Sequence, residues 1–131
     1  MSSWQSVRPF FETTAVAHLA TVMPDGSPHT VPVWVGVEGD ALAVFSIAGH
    51  RKDRNIQADP RVALSVTRPE QPLASASVRG RVVSRLEGDE AMPIVDRISR
   101  LYTGEDYDLR DGLAAYLIEP ESMWSRDYSG D

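Results

Sequence analysis

The sequence predicts a mainly β domain of the α+β class, a small closed barrel of six antiparallel strands. Six short runs of apolar or alternating residues are separated by clusters of turn-forming residues. Besides a short N-terminal stretch, helical signals occur in a short crossover at the middle of the chain and a longer stretch before the last strand. The 131 residues contain no repeat or linker and no cysteine. Residues 1–131 are therefore expected to form one domain, which buries roughly two thirds of its unfolded surface without disulfides.

The chain is predicted to begin with a short helix over residues 6–14, with Ser6 as its N-cap. Pro9 is tolerable there because it falls in the first turn. Residues 16–22 form a short apolar first strand, and the run MPDGSP after it supplies a turn.

The hairpin register bears on the three histidines, His18, His29 and His50. With Asp25-Gly26 at the hairpin centre, His29 lies opposite Val22 and His18 opposite Val33, so the two are not partners. Since no pair of histidines has the close spacing of metal ligands, we predict no metal site. Partly exposed strand histidines are the expectation.

The second strand has the clearest alternation in the chain. One face carries Val31, Val33, Val35 and Val37, and the other carries Thr30, Pro32, Trp34 and Gly36. The valine face is predicted to pack in the core. The other face is predicted to contact a group that is not part of the core. A turn at Glu38-Gly39-Asp40 then leads into a third strand over residues 41–46.

The run HRKDRNIQADP reads as one short helix ended by Asp59-Pro60, because the residue before proline is driven out of helical geometry. Residues 62–67 form the fourth strand. Residues 74–86 form a fifth that is longer than usual, so a sharp bend is expected near Gly80.

The last elements are an amphipathic helix over residues 89–102 and a strand over residues 113–119. Pro120 is expected to end that strand and lead into a tail around Trp124.

Charge is unevenly distributed along the chain. The formal net charge is −6, but residues 50–85 carry +5 and the remainder carries −11. The average argues against nucleic-acid binding. Thiol chemistry is excluded because the chain has no cysteine, and Lys52 is the only lysine. No apolar run is long enough for a membrane helix and the N-terminus lacks a signal-peptide core, so a cytoplasmic protein with no membrane partner is expected.

Residues 46–55, SIAGHRKDRN, are the segment most suggestive of chemistry. A strand runs through a small-residue loop into a helix start, where backbone N–H groups and the helix dipole favour an anion. Lys52 and Asn55 are three residues apart and so share a helix face, which suits a terminal phosphate. An ordinary exposed helix of mixed charge is the alternative.

Several motifs in order carry a resemblance to a known family. They are DGSP, then PVW at residues 32–34, FSIAGHRKDRN, DPRVAL and VRG. Together these resemble the pyridoxamine-phosphate-oxidase-like split β-barrel proteins, and within them the actinobacterial branch that uses the deazaflavin coenzyme F420. The resemblance covers essentially the whole chain.

The resemblance implies an FMN-binding-like split barrel that forms a homodimer, with a cofactor site at each subunit interface. It implies that Arg51, Lys52 and Asn55 hold the cofactor phosphate. Ser46, Ile47 and Ala48 would line the ribityl chain and ring, and Pro32, Val33 and Trp34 would lie along the ring edge. Trp34 is alternatively a core or interface aromatic, as are Tyr116 and Trp124. Arg79 and Arg81 either reach the acidic tail of F420 or are solvated.

The implied reaction is hydride transfer from reduced F420 to an electron-poor C=C or quinone-like small molecule. A deazaflavin carries the difficult chemistry, which agrees with a sequence that has no evident catalytic acid–base pair. Two alternatives stay open: an FMN-dependent oxidase or reductase, and a flavin- or F420-binding or stress protein without turnover. The C-terminal region lacks an arginine- and histidine-rich anchor, so pyridoxamine phosphate is not the expected substrate.

Overall fold

The computed structural model describes residues 2–129, which form three α-helices, two short 3₁₀ turns and one seven-stranded antiparallel sheet. The helices are α1 (Trp4–Val7), α2 (Arg51–Ala58) and α3 (Met92–Thr103), and the 3₁₀ turns are Arg8–Phe11 and Gly88–Glu90. The strands are β1 (Ala17–Val22), β2 (Pro28–Val33), β3 (Gly36–Glu38), β4 (Ala41–Ile47), β5 (Arg61–Arg68), β6 (Gln71–Glu87) and β7 (Leu113–Asp127).

The sheet is open, and the prediction of a closed six-stranded barrel is wrong. The strand order is β2-β1-β5-β6-β7-β4-β3, so β2 and β3 are its two edges. The predicted second strand breaks at Trp34 and Val35, where the Val35 N–H donates to the Tyr102 hydroxyl instead of a neighbouring strand (3.1 Å). Because of this break, one run of chain pairs with β1 before it and with β4 after it.

The β1–β2 hairpin differs by one residue from the predicted register. Met23 and Ser27 close a three-residue loop in which Gly26 adopts a φ of +88°. His29 therefore lies opposite Thr21, and not opposite Val22. His29 lies on the same face of β2 as Val31 and Val33, because alternate residues of a strand share a face.

The two longest strands, β6 and β7, pair along most of their length. Their register shifts next to Gly80, as the predicted bend requires, and a Cβ at Gly80 would lie 2.3 Å from the Glu119 carbonyl oxygen. β7 does not end at Pro120 but continues through Trp124 to Asp127, which corrects the predicted tail. Pro120 is tolerated because it lies at this bulge, beyond the last residue of β7 that pairs with β4.

The first helix begins at Trp4 rather than at residue 6, and its N-cap lies three residues earlier than predicted. Ser3 caps α1 by accepting a hydrogen bond from the Ser6 N–H (3.3 Å), so Ser6 lies inside the helix. The chain then tightens into the 3₁₀ turn that contains Pro9.

Two apolar clusters stabilise the fold. The larger one is built mainly from strand residues, with Phe11, Leu19, Leu42, Leu64 and Ile118 almost fully buried. In the second, α3 packs on β4 and β7, and Trp34, Phe45, Tyr102 and Tyr107 pack around its edge. This aromatic edge borders the candidate site.

Candidate functional site

A surface groove lies where β2, β4, the first turn of α2 and the segment after α3 meet. It has two adjoining halves, of about 370 Å³ and about 410 Å³, which share Phe45, Lys52 and Tyr107. We call them the apolar half and the basic half. The apolar half is also lined by Val16, Pro32, Val33 and Trp34. The basic half is also lined by His29, Val31, Ser46, Ile47, His50, Arg51 and Leu113.

The apolar half is walled by aromatic rings with fixed orientations. Trp34 stacks on Tyr102, with ring centroids 5.1 Å apart and an angle of 10° between the planes. Phe45 and Tyr107 meet edge to face at 4.9 Å. The Tyr102 hydroxyl donates to the Ala15 carbonyl (2.7 Å), which holds this ring in place. Trp34 thus packs in a cluster and also lines the groove.

The basic half brings cationic and polar groups together without a carboxylate. Among residues 2–129, no acidic side chain lines either half of the groove. Lys52 is partly buried, and this burial lowers the pKa of its ammonium group because the charged form is poorly solvated. An anion bound here would offset that cost, so the basic half favours a negatively charged ligand.

The start of α2 is fixed by the buried carboxylate of Asp53. It accepts hydrogen bonds from Arg85 Nε and Nη2 (both 2.8 Å), from the Gly49 N–H (2.8 Å) and from the Tyr116 hydroxyl (2.6 Å). Burial acts to raise the pKa of Asp53, but the hydrogen bonds from Arg85, Gly49 and Tyr116 outweigh it and lower the pKa to about 2. Asp53 therefore holds Lys52 and Arg51 at the groove.

The loop before α2 is one part of the anion site that the sequence suggests, and its N–H groups already have partners within the protein. The Ala48 N–H donates to Gly112 (2.8 Å), the Gly49 N–H to Asp53 and the His50 N–H to Ile47 (3.3 Å). Side chains, rather than this loop's backbone, are left to meet a ligand.

Seven of the nine predicted cofactor-binding residues line the groove: Pro32, Val33, Trp34, Ser46, Ile47, Arg51 and Lys52. Ala48 instead packs partly buried against the larger apolar cluster. Asn55 is 1% exposed, and its amide donates to Thr21 Oγ1 (3.0 Å) while its Oδ1 accepts from Arg51 (3.4 Å). Asn55 thus does not share an open face with Lys52 and supports Arg51 instead.

Sequence reasoning missed His29, Phe45 and Tyr107 as groove residues. His29 lines the basic half, and its buried Nδ1 has no hydrogen-bond partner in the part of the chain that the structure describes. The alternation of β2 already places His29 on the face of Val31, which also lines the groove. Nothing in the sequence marks Tyr107, because it lies in an irregular segment.

The other candidates lie away from the groove. Arg79 and Arg81 line a separate depression, where Arg79 lies over the Trp124 ring (5.1 Å) and Arg81 faces Glu121 (3.7 Å). Tyr116 is fully buried. No helix within residues 2–129 is long and apolar enough to cross a lipid bilayer.

Comparison with known proteins agrees with this architecture. A solved structure described as an F420 reductase is 28% identical, with a TM-score of 0.79, over 95% of this chain and 98% of that one. A conserved hypothetical protein of Mycobacterium tuberculosis is 22% identical, with a TM-score of 0.82, over 98% and 87%. No curated protein sequence gives a match. The family model described as pyridoxamine 5'-phosphate oxidase matches residues 3–127. With this match over nearly its whole length, the chain belongs to the pyridoxamine 5'-phosphate oxidase family.

Proposed function

We propose that the groove binds coenzyme F420 and that the protein is an F420-dependent reductase of electron-poor C=C or quinone-like small molecules. The observation that carries this proposal is the continuity of the two halves. A ligand with a flat ring at one end and an anionic group at the other matches an aromatic wall that adjoins a carboxylate-free basic wall.

The residues present fit a phosphate-bearing ring cofactor. Arg51 and Lys52 would bind its phosphate, since a guanidinium and a partly buried ammonium are both strong phosphate donors. His29 adds a buried Nδ1 with no partner among residues 2–129, which a bound ligand would satisfy. Trp34, Phe45 and Tyr107 would pack against the ring.

F420, when bound in its reduced form, supplies the hydride for the reduction. The chain's own residues bind the ligand, orient its ring and exclude water. The aromatic wall excludes water. The hydrogen bonds of Asp53 hold Lys52 and Arg51 in position beside that wall. No residue is assigned as a proton donor.

F420 is preferred to FMN because a solved structure with 28% identity and nearly full mutual coverage is described as an F420 reductase. FMN presents a phosphate and a tricyclic ring to the same groove, so it is the alternative cofactor. Pyridoxamine phosphate is not the proposed substrate.

We also propose that the protein acts in the cytoplasm as a homodimer with the groove at the subunit interface. Two large apolar side chains that line the groove are exposed, Val16 by 49% and Ile47 by 42%. A second copy that covered this rim would bury both and complete the site.

The proposal is tested by adding F420 and FMN separately to the purified protein and following fluorescence. Reduction of enones and quinones is then measured with the cofactor that binds. We expect F420 to bind more tightly than FMN and to support reduction. Tight FMN binding without F420 binding would reject the choice of cofactor, and F420 binding without reduction of any acceptor would indicate a carrier.

A further inference from the structure

Tyr107 is a groove residue whose backbone N–H and carbonyl are both hydrogen-bonded to side chains. It lies in the irregular segment between α3 and β7, and its ring lines both halves of the groove. That ring meets Phe45 at 4.9 Å and Trp34 at 6.2 Å, both edge to face. A shift of Tyr107 would therefore change the width of the groove where its two halves join.

One ion pair outside the groove holds both backbone polar groups of Tyr107. The Tyr107 N–H donates to Asp96 Oδ1 (3.1 Å), and the Tyr107 carbonyl accepts from Arg110 Nη1 (3.0 Å). Arg110 also binds Asp96 through both guanidinium nitrogens, at 2.8 and 3.0 Å. Asp96 projects from α3, so this arrangement ties the irregular segment to a rigid helix.

The burial of Asp96 strengthens its hydrogen bonds to Arg110 and Tyr107. Asp96 is 7% exposed, and the hydrogen bonds from Arg110 hold the pKa of its carboxyl below its usual value. A bidentate arginine–carboxylate pair has a fixed geometry, unlike most exposed ion pairs. Neither Asp96 nor Arg110 lines the groove.

We infer that Asp96 and Arg110 are positioning residues that fix Tyr107 in the groove wall where the apolar and basic halves join, so that Tyr107 determines which flat-ring ligands fit. This inference rests on the proposed function, because it assigns the ring of the bound cofactor to the wall that Tyr107 forms. Arg110 acts only through Tyr107.

A double-mutant cycle tests this with F420 as the probe. Tyr107→Ala is expected to weaken F420 binding about tenfold, and Arg110→Ala about fivefold. The double variant should bind no more weakly than Tyr107→Ala alone, because Arg110 has nothing to position once the ring is gone. The matched control is Arg97→Ala, which breaks another bidentate pair of α3, with Glu38, away from the groove. Arg97→Ala should bind F420 within about twofold of the unmodified protein.

Additive losses in the double variant, or equal losses in Arg97→Ala and Arg110→Ala, would overturn the inference. If the unmodified protein binds neither F420 nor FMN, the proposed function fails and a measurement without ligand decides the positioning role. Chymotrypsin should then cleave at Tyr107 and Leu109 about tenfold faster in Arg110→Ala than in Arg97→Ala, because the segment is released from α3. Equal cleavage rates would reject the positioning role.

Discussion

Lys52 lies at the junction of the two halves of the groove, and it is the one lysine of the chain. Its burial without a compensating carboxylate lowers its pKa, which disfavours the charged form until an anion arrives. A bound phosphate would therefore stabilise the charged ammonium group of Lys52.

Replacing Lys52 by Ala should weaken F420 binding at least tenfold, about 1.4 kcal/mol, because the phosphate loses a charged donor. Fluorescence titration measures this. Arg54→Ala is the control, since Arg54 is an exposed residue of the same helix that does not line the groove. An unchanged dissociation constant for Lys52→Ala would show that the phosphate binds elsewhere.

His29→Leu should weaken ligand binding without a large change in the stability of the fold. The unpaired Nδ1 makes no hydrogen bond within the described chain, so its loss should change the free energy of unfolding by less than about 0.5 kcal/mol. Binding of F420 should weaken about fivefold if the ligand satisfies that nitrogen. His18→Leu, on the exposed face of β1, serves as the control. A large loss of stability with unchanged binding would contradict this role for His29.

At the scale of elements, Asp53 joins three of them. It lies in the first turn of α2, binds Arg85 of β6 and accepts from the Tyr116 hydroxyl of β7. Because its pKa is about 2 in the folded protein against a usual 3.8, the carboxylate contributes stability that is complete above pH 4. That contribution is lost as the pH falls through about 2.

Asp53→Asn should therefore lower the free energy of unfolding by about 2 kcal/mol at pH 7. Urea unfolding at pH 7 and at pH 2.5 measures the difference in stability between the two proteins. This difference should narrow at the lower pH, because Asp53 is then protonated in the unfolded state and must lose that proton on folding. Asp40→Asn, at an exposed turn, should show neither effect. A difference that does not change with pH would mean that Asp53 stabilises by packing alone.

The elements differ in how far their sequence determines them. The helix after His50 and the bend at Gly80 follow from local chemistry, a proline stop and a glycine within an unusually long strand. The break at Trp34 does not, because it depends on the Tyr102 hydroxyl, 67 residues away in the chain, which takes the Val35 N–H. Periodicity continues through that break, so the pattern predicts one strand where the structure has two.

The same distinction applies to the site. Lys52 was predictable because a helix start fixes where its side chain points, whereas Pro32 was assigned to the site through the family resemblance. Asn55 was assigned to the wrong surroundings, since its burial depends on packing against Thr21. Tyr107 was missed because its position depends on a contact with Asp96 that no local pattern encodes.

At the scale of the whole molecule, the positive charge of residues 50–85 divides between several places. Arg51 and Lys52 line the groove, while Arg85 is paired with Asp53 and Arg61 with Asp59. Only part of the +5 charge of residues 50–85 therefore lies at the groove, in a protein whose net charge is −6.

A homodimer should elute from size exclusion, with light scattering, at twice the mass of the chain. Val16→Asp and Ile47→Asp should shift it toward monomer and weaken F420 binding, because each places a charge on an apolar rim that a partner would bury. Val83→Asp is the control, as Val83 is 54% exposed and does not line the groove. A monomer at all concentrations would show that one chain forms the site alone.

The central claim is that the groove holds a phosphate-bearing, flat-ring cofactor across its two halves. A crystal structure of the protein with F420 tests this most directly. The account predicts the phosphate within hydrogen-bond distance of Lys52 and Arg51, and the ring packed against Trp34, Phe45 and Tyr107. F420 bound outside the groove, or with its phosphate away from Lys52, would contradict it.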